Sequence, residues 1–283
     1  MKLLGLLGYP LSHTFSPVMI NRIARQKNWD CSYFAYSISP ENVGDFVKAV
    51  KLLPIYGFNI TIPYKQTILK FCDELSPEVQ EVGAANTVIN NTGKLTAYNS
   101  DVFGFKYGIE NLLPNNFIID GTLIIGAGGA ARAVVYVLSK VGWKNFYLAD
   151  VDSTRANEWQ NDSDILLKDK NINFIIPEKD ILNDLLKKVN LIVQATPVGT
   201  YPNVDECISF PFENLNQNHY VYDLVYNPVE TKFVKLAKKA GAAANNGLDM
   251  LAAQAVKSLD FWGYTVEVNV LFKALLEEIK QNN

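Results

Sequence analysis

The sequence predicts an α/β protein built from two domains, and three observations support this. The chain has 283 residues, more than one small hydrophobic core normally organises. Short apolar segments of strand length alternate with helical patterns through the first hundred residues, which is typical of an α/β sheet. A second alternating unit begins at Thr122, after a polar connection at 112–116 that contains a proline.

The first domain is expected to carry strands that alternate with helices. The strands are assigned from short apolar runs, and the helices from apolar residues that recur every three or four positions. The predicted strands are 3–7, 32–37, 57–62, 87–90 and 94–98, and the predicted helices are 18–27, 41–53 and 64–71. A helix at 102–111 is expected to lead from this domain into the next.

A glycine-rich turn follows the first strand of the second domain. The apolar run at 122–125 leads directly into Gly126-Ala127-Gly128-Gly129-Ala130-Ala131, and a helical pattern follows at 132–141. Glycines permit a tight turn and close approach of a ligand, and a helix N-terminus attracts a pyrophosphate. In this context the turn predicts a doubly wound Rossmann domain that binds a dinucleotide. Further strands are predicted at 145–149, 191–195 and 220–224, with a loop at 202–217.

Composition argues against several classes of partner. The formal net charge is −3 and no basic run is present, which argues against a nucleic-acid surface. No segment reaches the roughly 18 apolar residues of a membrane span. Cys31, Cys72 and Cys207 have neither metal nor disulfide spacing, which fits a reducing compartment. His13 and His219 are far apart, so no metal site is expected, and we expect a cytoplasmic protein.

The segment Asn59-Ile60-Thr61-Ile62-Pro63-Tyr64-Lys65 places a lysine just after an apolar strand. Alternate side chains of a strand share a face, so Asn59 and Thr61 are expected to point the same way. Lys65 then lies where a proton could be transferred beside a polyol, although a solvated lysine at a strand end has the same local pattern. Upstream, Thr14 and Ser16 precede a predicted helix, where they could hold a carboxylate or where Ser16 could simply cap the helix.

Together with these segments, six others resemble the shikimate dehydrogenase family, including its quinate/shikimate dehydrogenase relatives. The matching segments are 8–17, 59–65, 83–88, 99–104, 126–132, 194–200, 223–228 and 247–254, nearly from end to end. The resemblance implies an oxidoreductase of aromatic amino acid biosynthesis that interconverts 3-dehydroshikimate and shikimate by hydride transfer with a nicotinamide cofactor. It also implies that the last helices return to the first domain, which gives a substrate domain at 1–101 with 246–283 and a dinucleotide domain at 102–245.

The resemblance further implies roles for individual residues. Lys65 and Asp101 are the implied catalytic pair, and the sequence leaves the protonation state of Lys65 open because desolvation lowers its pKa whereas a carboxylate raises it. The implied substrate-binding residues are Thr14, Ser16, Asn59, Thr61, Asn86, Tyr226 and Gln254. The expected cofactor-binding residues are Gly126, Ala127, Gly128, Gly129, Ala130, Asp150, Arg155, Thr196 and Gly247.

The sequence favours NAD over NADP as the cofactor. Family members that use NADP typically have Asn-Arg-Thr after the second strand of the nucleotide domain, but this chain has Asp150-Val151-Asp152 there. An acidic residue about 20 positions after the glycine turn can accept hydrogen bonds from the ribose 2′-OH of NAD. Asp150 could also serve only as a turn cap. Arg155 could offset part of the acidic charge.

Three alternatives to a shikimate-specific enzyme stay open at this point. Thr14 stands where the family usually has serine, which leaves the choice between shikimate and the bulkier quinate open, so an NAD-linked enzyme acting mainly on quinate is one alternative. A regulatory protein that binds the cofactor without turnover is the second. The third, a protein like methylenetetrahydrofolate dehydrogenase, would need an aromatic slot that the hydroxyl-rich turn does not supply. We expect a small-molecule substrate and a monomer or homodimer.

Overall fold

The structure is a computed structural model that describes residues 1–11, 14–115, 117–118, 120–162 and 170–282. It divides into two compact units. The first unit comprises Met1–Phe103 and Ala252–Asn282, and the second comprises Gly104–Leu251. The chain passes from one unit to the other inside two helices, Asp101–Leu112 and Leu248–Phe261. The domain limits drawn from the sequence at 101 and 246 stay a prediction.

The first unit contains a mixed sheet. Its strands are β1 (Lys2–Gly8), β2 (Cys31–Ser37), β3 (Ile55–Ile60), β4 (Glu74–Leu75), β5 (Thr87–Asn91) and β6 (Lys94–Tyr98). Their order across the sheet is β2-β1-β3-β5-β6-β4, and β5 runs antiparallel to both of its neighbours. The helices of this unit are α1 (Ser16–Gln26), α2 (Val43–Leu52), α3 (Pro77–Val82), the start of α4 (Asp101–Leu112), most of α9 (Leu248–Phe261) and α10 (Val268–Asn282).

The centre of this sheet brings two functional turns together. β1 pairs in parallel with both β2 and β3, and Leu7 lies opposite Ile60 in the β1–β3 register. Leu7 and Phe58 are fully buried in the core, which is why these strands read as nearly continuous apolar runs. The Thr61 N–H donates to the Leu7 carbonyl at 2.9 Å. β1 and β3 therefore end next to each other, and the chain continues from β1 toward Thr14 and from β3 toward Lys65.

The second unit contains a fully parallel sheet. Its strands are β7 (Thr122–Ile125), β8 (Asn145–Ala149), β9 (Asn171–Ile175), β10 (Leu191–Gln194), β11 (Tyr220–Asp223) and β12 (Ala243–Asn246), in the order β12-β11-β10-β7-β8-β9. Helices α5 (Gly129–Lys140), α6 (Thr154–Asp162), α7 (Lys179–Leu185) and α8 (Lys232–Lys239) belong to this unit, with most of α4 and the start of α9. The strand order is that of a doubly wound dinucleotide-binding fold.

The order of strands reverses between β7 and β10, and this is the switch point where such sheets bind ligands. Ile125 lies opposite Gln194, and the Ala195 N–H donates to the Ile125 carbonyl at 2.7 Å. The segment after β10 thus lies beside the glycine-rich turn that follows β7. Leu123 and Ile192 are fully buried, because helices cover both faces of a parallel sheet.

The predicted fold class is confirmed, and the local differences have physical reasons. The expected helix at 64–71 is only a 3₁₀ turn at Thr67–Phe71, because it follows directly on the turn that contains Pro63. Ser16 is the first residue of α1 rather than its cap, and Phe15 occupies the cap position without a side-chain bond. Predictions for His13 and for Asn116 in the interdomain connection lie outside the described residues. Within the described ranges no helix is long and apolar enough to cross a bilayer.

Candidate active site

A lysine–carboxylate ion pair lies beyond the carboxyl end of β3 in the first-unit sheet. Lys65 is in the turn after β3, and Asp101 is the first residue of α4. The Lys65 Nζ atom lies 2.7 Å from the Asp101 Oδ2 atom, and the two side chains are 18% and 6% exposed. The Ala85 N–H donates to the Lys65 carbonyl at 2.7 Å, which fixes the lysine backbone. An ammonium held this way can exchange a proton with a bound alcohol.

Two amide side chains extend this pair. The Asn86 Nδ2 group lies 2.9 Å from the Asp101 Oδ1 atom and 3.0 Å from the Gln254 Oε1 atom. The Ser100 N–H donates to the Asn86 Oδ1 atom at 2.7 Å. The structure therefore brings together Lys65, Asn86, Asp101 and Gln254, which sequence analysis selected from four separate segments. Their donors and acceptors suit a polyhydroxylated ligand.

Asn59 lies next to this group, and its Nδ2 group lies 3.1 Å from the Asn86 carbonyl oxygen. Its side chain is buried, and its Oδ1 atom accepts a hydrogen bond from the Tyr33 hydroxyl at 2.8 Å. Its Nδ2 group lies 3.0 Å from the Thr87 Oγ1 atom and 2.8 Å from the Ser258 Oγ atom. Direct contact between Asn59 and a substrate stays a prediction, and the protein already uses this amide to hold neighbouring side chains.

The hydroxyl-bearing residues of the predicted substrate site belong to both units. Thr61 is partly exposed, and no other described residue hydrogen-bonds its hydroxyl. The Thr14 Oγ1 atom accepts from the Ser16 N–H at 3.4 Å, so these two residues form one local turn at the start of α1. Tyr226 belongs to the second unit and is partly buried, and burial raises its pKa. The side chain therefore stays a neutral phenol.

The glycine-rich turn of the second unit has the geometry required for close approach of a ligand. Gly126 has φ +100°, and a Cβ atom there would lie 2.9 Å from Thr196 Cγ2 and 3.0 Å from the Ala195 carbonyl carbon. A Cβ atom on Gly128 would meet nothing within 4 Å, so space is open over this residue. α5 begins at Gly129, and the N-terminus of α5 adds its free N–H groups to the turn. These residues fit a dinucleotide pyrophosphate.

Gly247 has a different role from the glycines of the turn. A Cβ atom on Gly247 would lie 2.3 Å from the Leu224 carbonyl oxygen, so its backbone packs directly on the chain after β11. The Gly247 N–H also donates to the Val225 carbonyl at 3.1 Å. Contact between Gly247 and a cofactor stays a prediction.

Asp150 holds the glycine-rich turn in place. Its Oδ2 atom accepts from the Ala127 N–H at 2.8 Å, and its Oδ1 atom accepts from the Asp152 N–H at 3.0 Å. Trp159, which sequence analysis missed, is fully buried and donates its indole N–H to the Ala127 carbonyl at 2.7 Å. Asp150 and Trp159 therefore hydrogen-bond to the N–H and to the carbonyl of Ala127, respectively. We call these two side chains the Ala127 clamp.

A cavity of about 220 Å³ lies beside this clamp at the end of β8. Its lining includes Asp150, Ser153, Arg155 and Phe174. The Arg155 Nη1 atom lies 2.8 Å from Glu158 Oε2, on a partly exposed surface where the ion pair can exchange for another anion. Arg155 is therefore the cation available to an anionic group in this cavity.

Asp223 is a second buried carboxylate, in the second unit. It is the last residue of β11, fully buried, and burial raises its pKa to about 6. The Thr231 hydroxyl donates to its Oδ2 atom at 2.6 Å, and the Val225 N–H donates to its Oδ1 atom at 3.0 Å. These two hydrogen bonds from neutral donors offset only part of the rise in the Asp223 pKa that burial causes.

Within the described ranges no group of His, Cys, Asp and Glu is arranged to hold a metal ion.

The two units together have the features of a nucleotide-dependent oxidoreductase. One unit has the parallel sheet and glycine turn of a dinucleotide-binding domain, and the other has an ammonium–carboxylate pair among hydrogen-bonding amides. The model of the shikimate dehydrogenase substrate-binding domain matches residues 6–88. The shikimate dehydrogenase (NADP(+)) of Desulforamulus reducens is 37% identical over 276 residues, which cover 97% of this chain and 94% of the relative.

Solved structures agree with this similarity. A shikimate dehydrogenase in complex with NADP+ is 35% identical and superposes with a TM-score of 0.85 over 99% of this chain and 96% of that one. The enzyme from Thermus thermophilus, in complex with NADP(H) and shikimate, is 27% identical, with a TM-score of 0.81 over 99% of this chain and all of that one. The chain belongs to the shikimate dehydrogenase family, which confirms the family predicted from its motifs.

The prediction that NAD is favoured over NADP is wrong. The Desulforamulus relative is named for NADP(+), and the solved structure at 35% identity contains NADP+. The physical reason lies in Asp150, whose two oxygens already accept backbone hydrogen bonds from Ala127 and Asp152. The carboxylate is used to hold the turn, so its presence at this position does not indicate an acceptor for a ribose 2′-OH.

Proposed function

We propose that this protein catalyses the NADP-dependent interconversion of shikimate and 3-dehydroshikimate. The observation that carries the proposal is the partly buried Lys65–Asp101 pair among the amides of Asn86 and Gln254. The names of the Desulforamulus and Thermus relatives, both shikimate dehydrogenases, supply the substrate. The nicotinamide cofactor supplies hydride transfer when bound.

Lys65 is the group that exchanges a proton with the reacting hydroxyl. Oxidation of an alcohol releases a proton that the nicotinamide does not take up. The Lys65 Nζ atom is fixed by Asp101 at 2.7 Å and keeps part of its surface exposed toward a ligand. In carbonyl reduction its positive charge stabilises the oxygen on which negative charge develops. Asp101 orients the ammonium and accepts hydrogen bonds from the ring hydroxyls.

Substrate recognition is assigned to neutral polar groups around this pair. The groups proposed to bind the ring hydroxyls are Asn59, Thr61, Asn86 and Gln254. The Asn59 amide also donates to the Asn86 carbonyl. A substrate analogue that lacks a hydroxyl leaves one of these groups unpaired, which is a large penalty in a buried pocket. The groups proposed for the substrate carboxylate are Thr14, Ser16 and Tyr226.

The second unit is proposed to hold NADP. The residues assigned to the pyrophosphate and its surroundings are Gly126, Ala127, Gly128, Gly129, Ala130, Thr196 and Gly247. Arg155 is assigned to the 2′-phosphate, because it lines the cavity at the end of β8 and its present partner, Glu158, is partly exposed. Asp150 is assigned to holding the turn.

Partner and location follow as further proposals. The protein acts on a small molecule as a monomer or homodimer, without a nucleic-acid partner. Its three cysteines are free, which fits the reducing cytoplasm.

Steady-state oxidation of shikimate with NADP+ and with NAD+ tests the proposal. We expect kcat/KM to be higher with NADP+, and higher for shikimate than for quinate because the Thr14 methyl group reduces space near the carboxylate. A protein without turnover of shikimate with either cofactor contradicts the proposed function. A preference for quinate contradicts the substrate assignment alone.

A further inference from the structure

Three hydroxyl groups form a buried cluster behind the catalytic pair. They belong to Thr87, Ser100 and Ser258, and all three residues are fully buried. The Ser258 Oγ atom lies 2.9 Å from the Thr87 Oγ1 atom and 2.9 Å from the Ser100 Oγ atom. We call these three side chains the hydroxyl cluster. Buried polar networks fix a single arrangement of side chains when every member is satisfied.

Ser258 lies at the centre of this cluster. It is one turn after Gln254 on α9, and its Oγ atom lies 2.8 Å from Asn59 Nδ2 and 3.0 Å from the Gln254 carbonyl oxygen. A hydroxyl has one hydrogen and two acceptor positions, so it can satisfy at most three of these four neighbours. The hydroxyl is therefore fully used in any orientation, and its loss removes an acceptor from Asn59 and a partner from Ser100.

Ser100 connects the hydroxyl cluster to the catalytic pair through hydrogen bonds to Asn86 and Gln254. Its Oγ atom lies 2.9 Å from Asn86 Nδ2 and 3.2 Å from Gln254 Oε1. Asn86 also donates to Asp101, so the orientation of one amide depends on both the cluster and the carboxylate. Gln254 accepts through Oε1, and among the described residues its Nε2 group has no hydrogen-bond partner. The cluster therefore leaves the Gln254 donor group available for a ligand.

We propose that Ser258 is a positioning residue for the substrate, acting through Ser100 on the amides of Asn86 and Gln254. The proposal rests on the proposed function. It predicts that Ser258 controls the binding of the hydroxylated substrate more than the binding of the cofactor, since every contact of its hydroxyl lies in the first unit. If the hydroxyl mattered only through its contact with the Gln254 carbonyl on its own helix, its loss would not discriminate between the two ligands.

The test compares Ser258→Ala with Ser139→Ala. Ser139 provides a matched control, because its hydroxyl donates to the Val135 carbonyl four residues earlier on α5 and it lies in the second unit. We expect Ser258→Ala to raise KM for shikimate about fivefold to tenfold, as expected when about one hydrogen bond is lost. KM of Ser258→Ala for NADP+ should stay within about twofold of the wild-type value. For Ser139→Ala, KM for shikimate and KM for NADP+ should both stay within about twofold of wild type.

A double-mutant cycle with Gln254→Ala separates positioning from packing. If Ser258 acts through the amides, adding Ser258→Ala to Gln254→Ala should raise KM for shikimate less than it does in the wild type. Full additivity, or an equal loss of affinity for shikimate and NADP+, overturns the proposal. A crystal structure of Ser258→Ala with Asn59, Asn86 and Gln254 in their original orientations also overturns it. Absence of wild-type turnover instead refutes the proposed function, and the crystal structure then still tests Ser258.

Discussion

The two units hold their candidate sites by different means. In the first unit the groups proposed to act are side chains, and Lys65, Asp101 and Asn86 are fixed by hydrogen bonds to one another. In the second unit the proposed groups are backbone atoms: Gly126 lets the turn pack closely on Thr196 and Ala195, and Gly128 leaves open space above the turn. The chemistry of the first site depends on which side-chain functional groups are present. The binding of a ligand at the second site depends on the residues that fix the conformation of the glycine-rich turn.

The same contrast applies to Asp101 and Asp223, the carboxylates that are buried among the described residues. Asp101 in the first unit faces the Lys65 ammonium at 2.7 Å. Asp223 in the second unit receives only neutral donors, and burial raises its pKa to about 6. One carboxylate is therefore part of an ion pair suited to chemistry, and the other is a structural group at a strand end.

The largest expected effect is on the side-chain site. Lys65→Ala should lower kcat for shikimate oxidation at least about 100-fold, the range for a positioned acid or base. Steady-state kinetics with NADP+ measure it, with thermal unfolding to establish that the variant folds. Lys48→Ala is the control, because Lys48 also pairs with an aspartate, Asp45, but on an exposed surface. A fall of less than about tenfold would make Lys65 only a binding group.

Asp223 should make the stability of the protein depend on pH. Its folded-state pKa is raised, so its stabilising contribution is complete below about pH 4 and is lost as pH rises through about 6. The free energy of unfolding of Asp223→Asn, relative to wild type, should therefore increase by up to about 3 kcal/mol between pH 4 and pH 7.

Urea unfolding at several pH values measures this difference. Asp184→Asn is the control, because the pKa of this exposed carboxyl is lowered by its hydrogen bond with Lys187. Its difference from wild type should not increase over the same range. A constant difference between Asp223→Asn and wild type would contradict the assignment.

The two glycines of the backbone site should respond differently to the same added methyl group. Gly126→Ala meets Thr196 and Ala195 and has an unfavourable φ of +100°, so it should lower both the thermal midpoint and the affinity for NADP+, the latter about tenfold or more. Gly128→Ala meets no protein atom within 4 Å and should weaken NADP+ binding without loss of stability. Unchanged binding by Gly128→Ala would place the cofactor elsewhere.

The smallest effect is expected from the Ala127 clamp. Asp150→Asn can keep only one of the two backbone hydrogen bonds that the carboxylate accepts, so affinity for NADP+ should fall about threefold to tenfold. Isothermal titration with NADP+ and NAD+ measures it, and both affinities should fall together. Tighter binding of NADP+ alone would instead identify Asp150 as a group that repels the 2′-phosphate.

The contrast between the units also explains what the sequence could predict. The strand end before Lys65 and the family resemblance of the motifs selected Lys65, Asn86, Asp101 and Gln254, and the structure places these four side chains together. The apolar strands and the glycine turn likewise predicted the fold class. Ser258 and Trp159 were missed, since a buried serine or tryptophan has no local signature until the chain folds around it. Asp150 was misinterpreted because its sequence position does not reveal which N–H groups its oxygens accept.

The Ala127 clamp limits which side chains position 150 can carry. Ala127 is held by two unrelated side chains, a carboxylate from the end of β8 and an indole from α6. Asp150 accepts the Ala127 N–H and Trp159 donates to the Ala127 carbonyl, so neither side chain can replace the other, and loss of the carboxylate leaves an N–H group without its acceptor. An acidic residue beside the nucleotide site of this chain is therefore explained by the turn that it supports, whichever coenzyme the site takes.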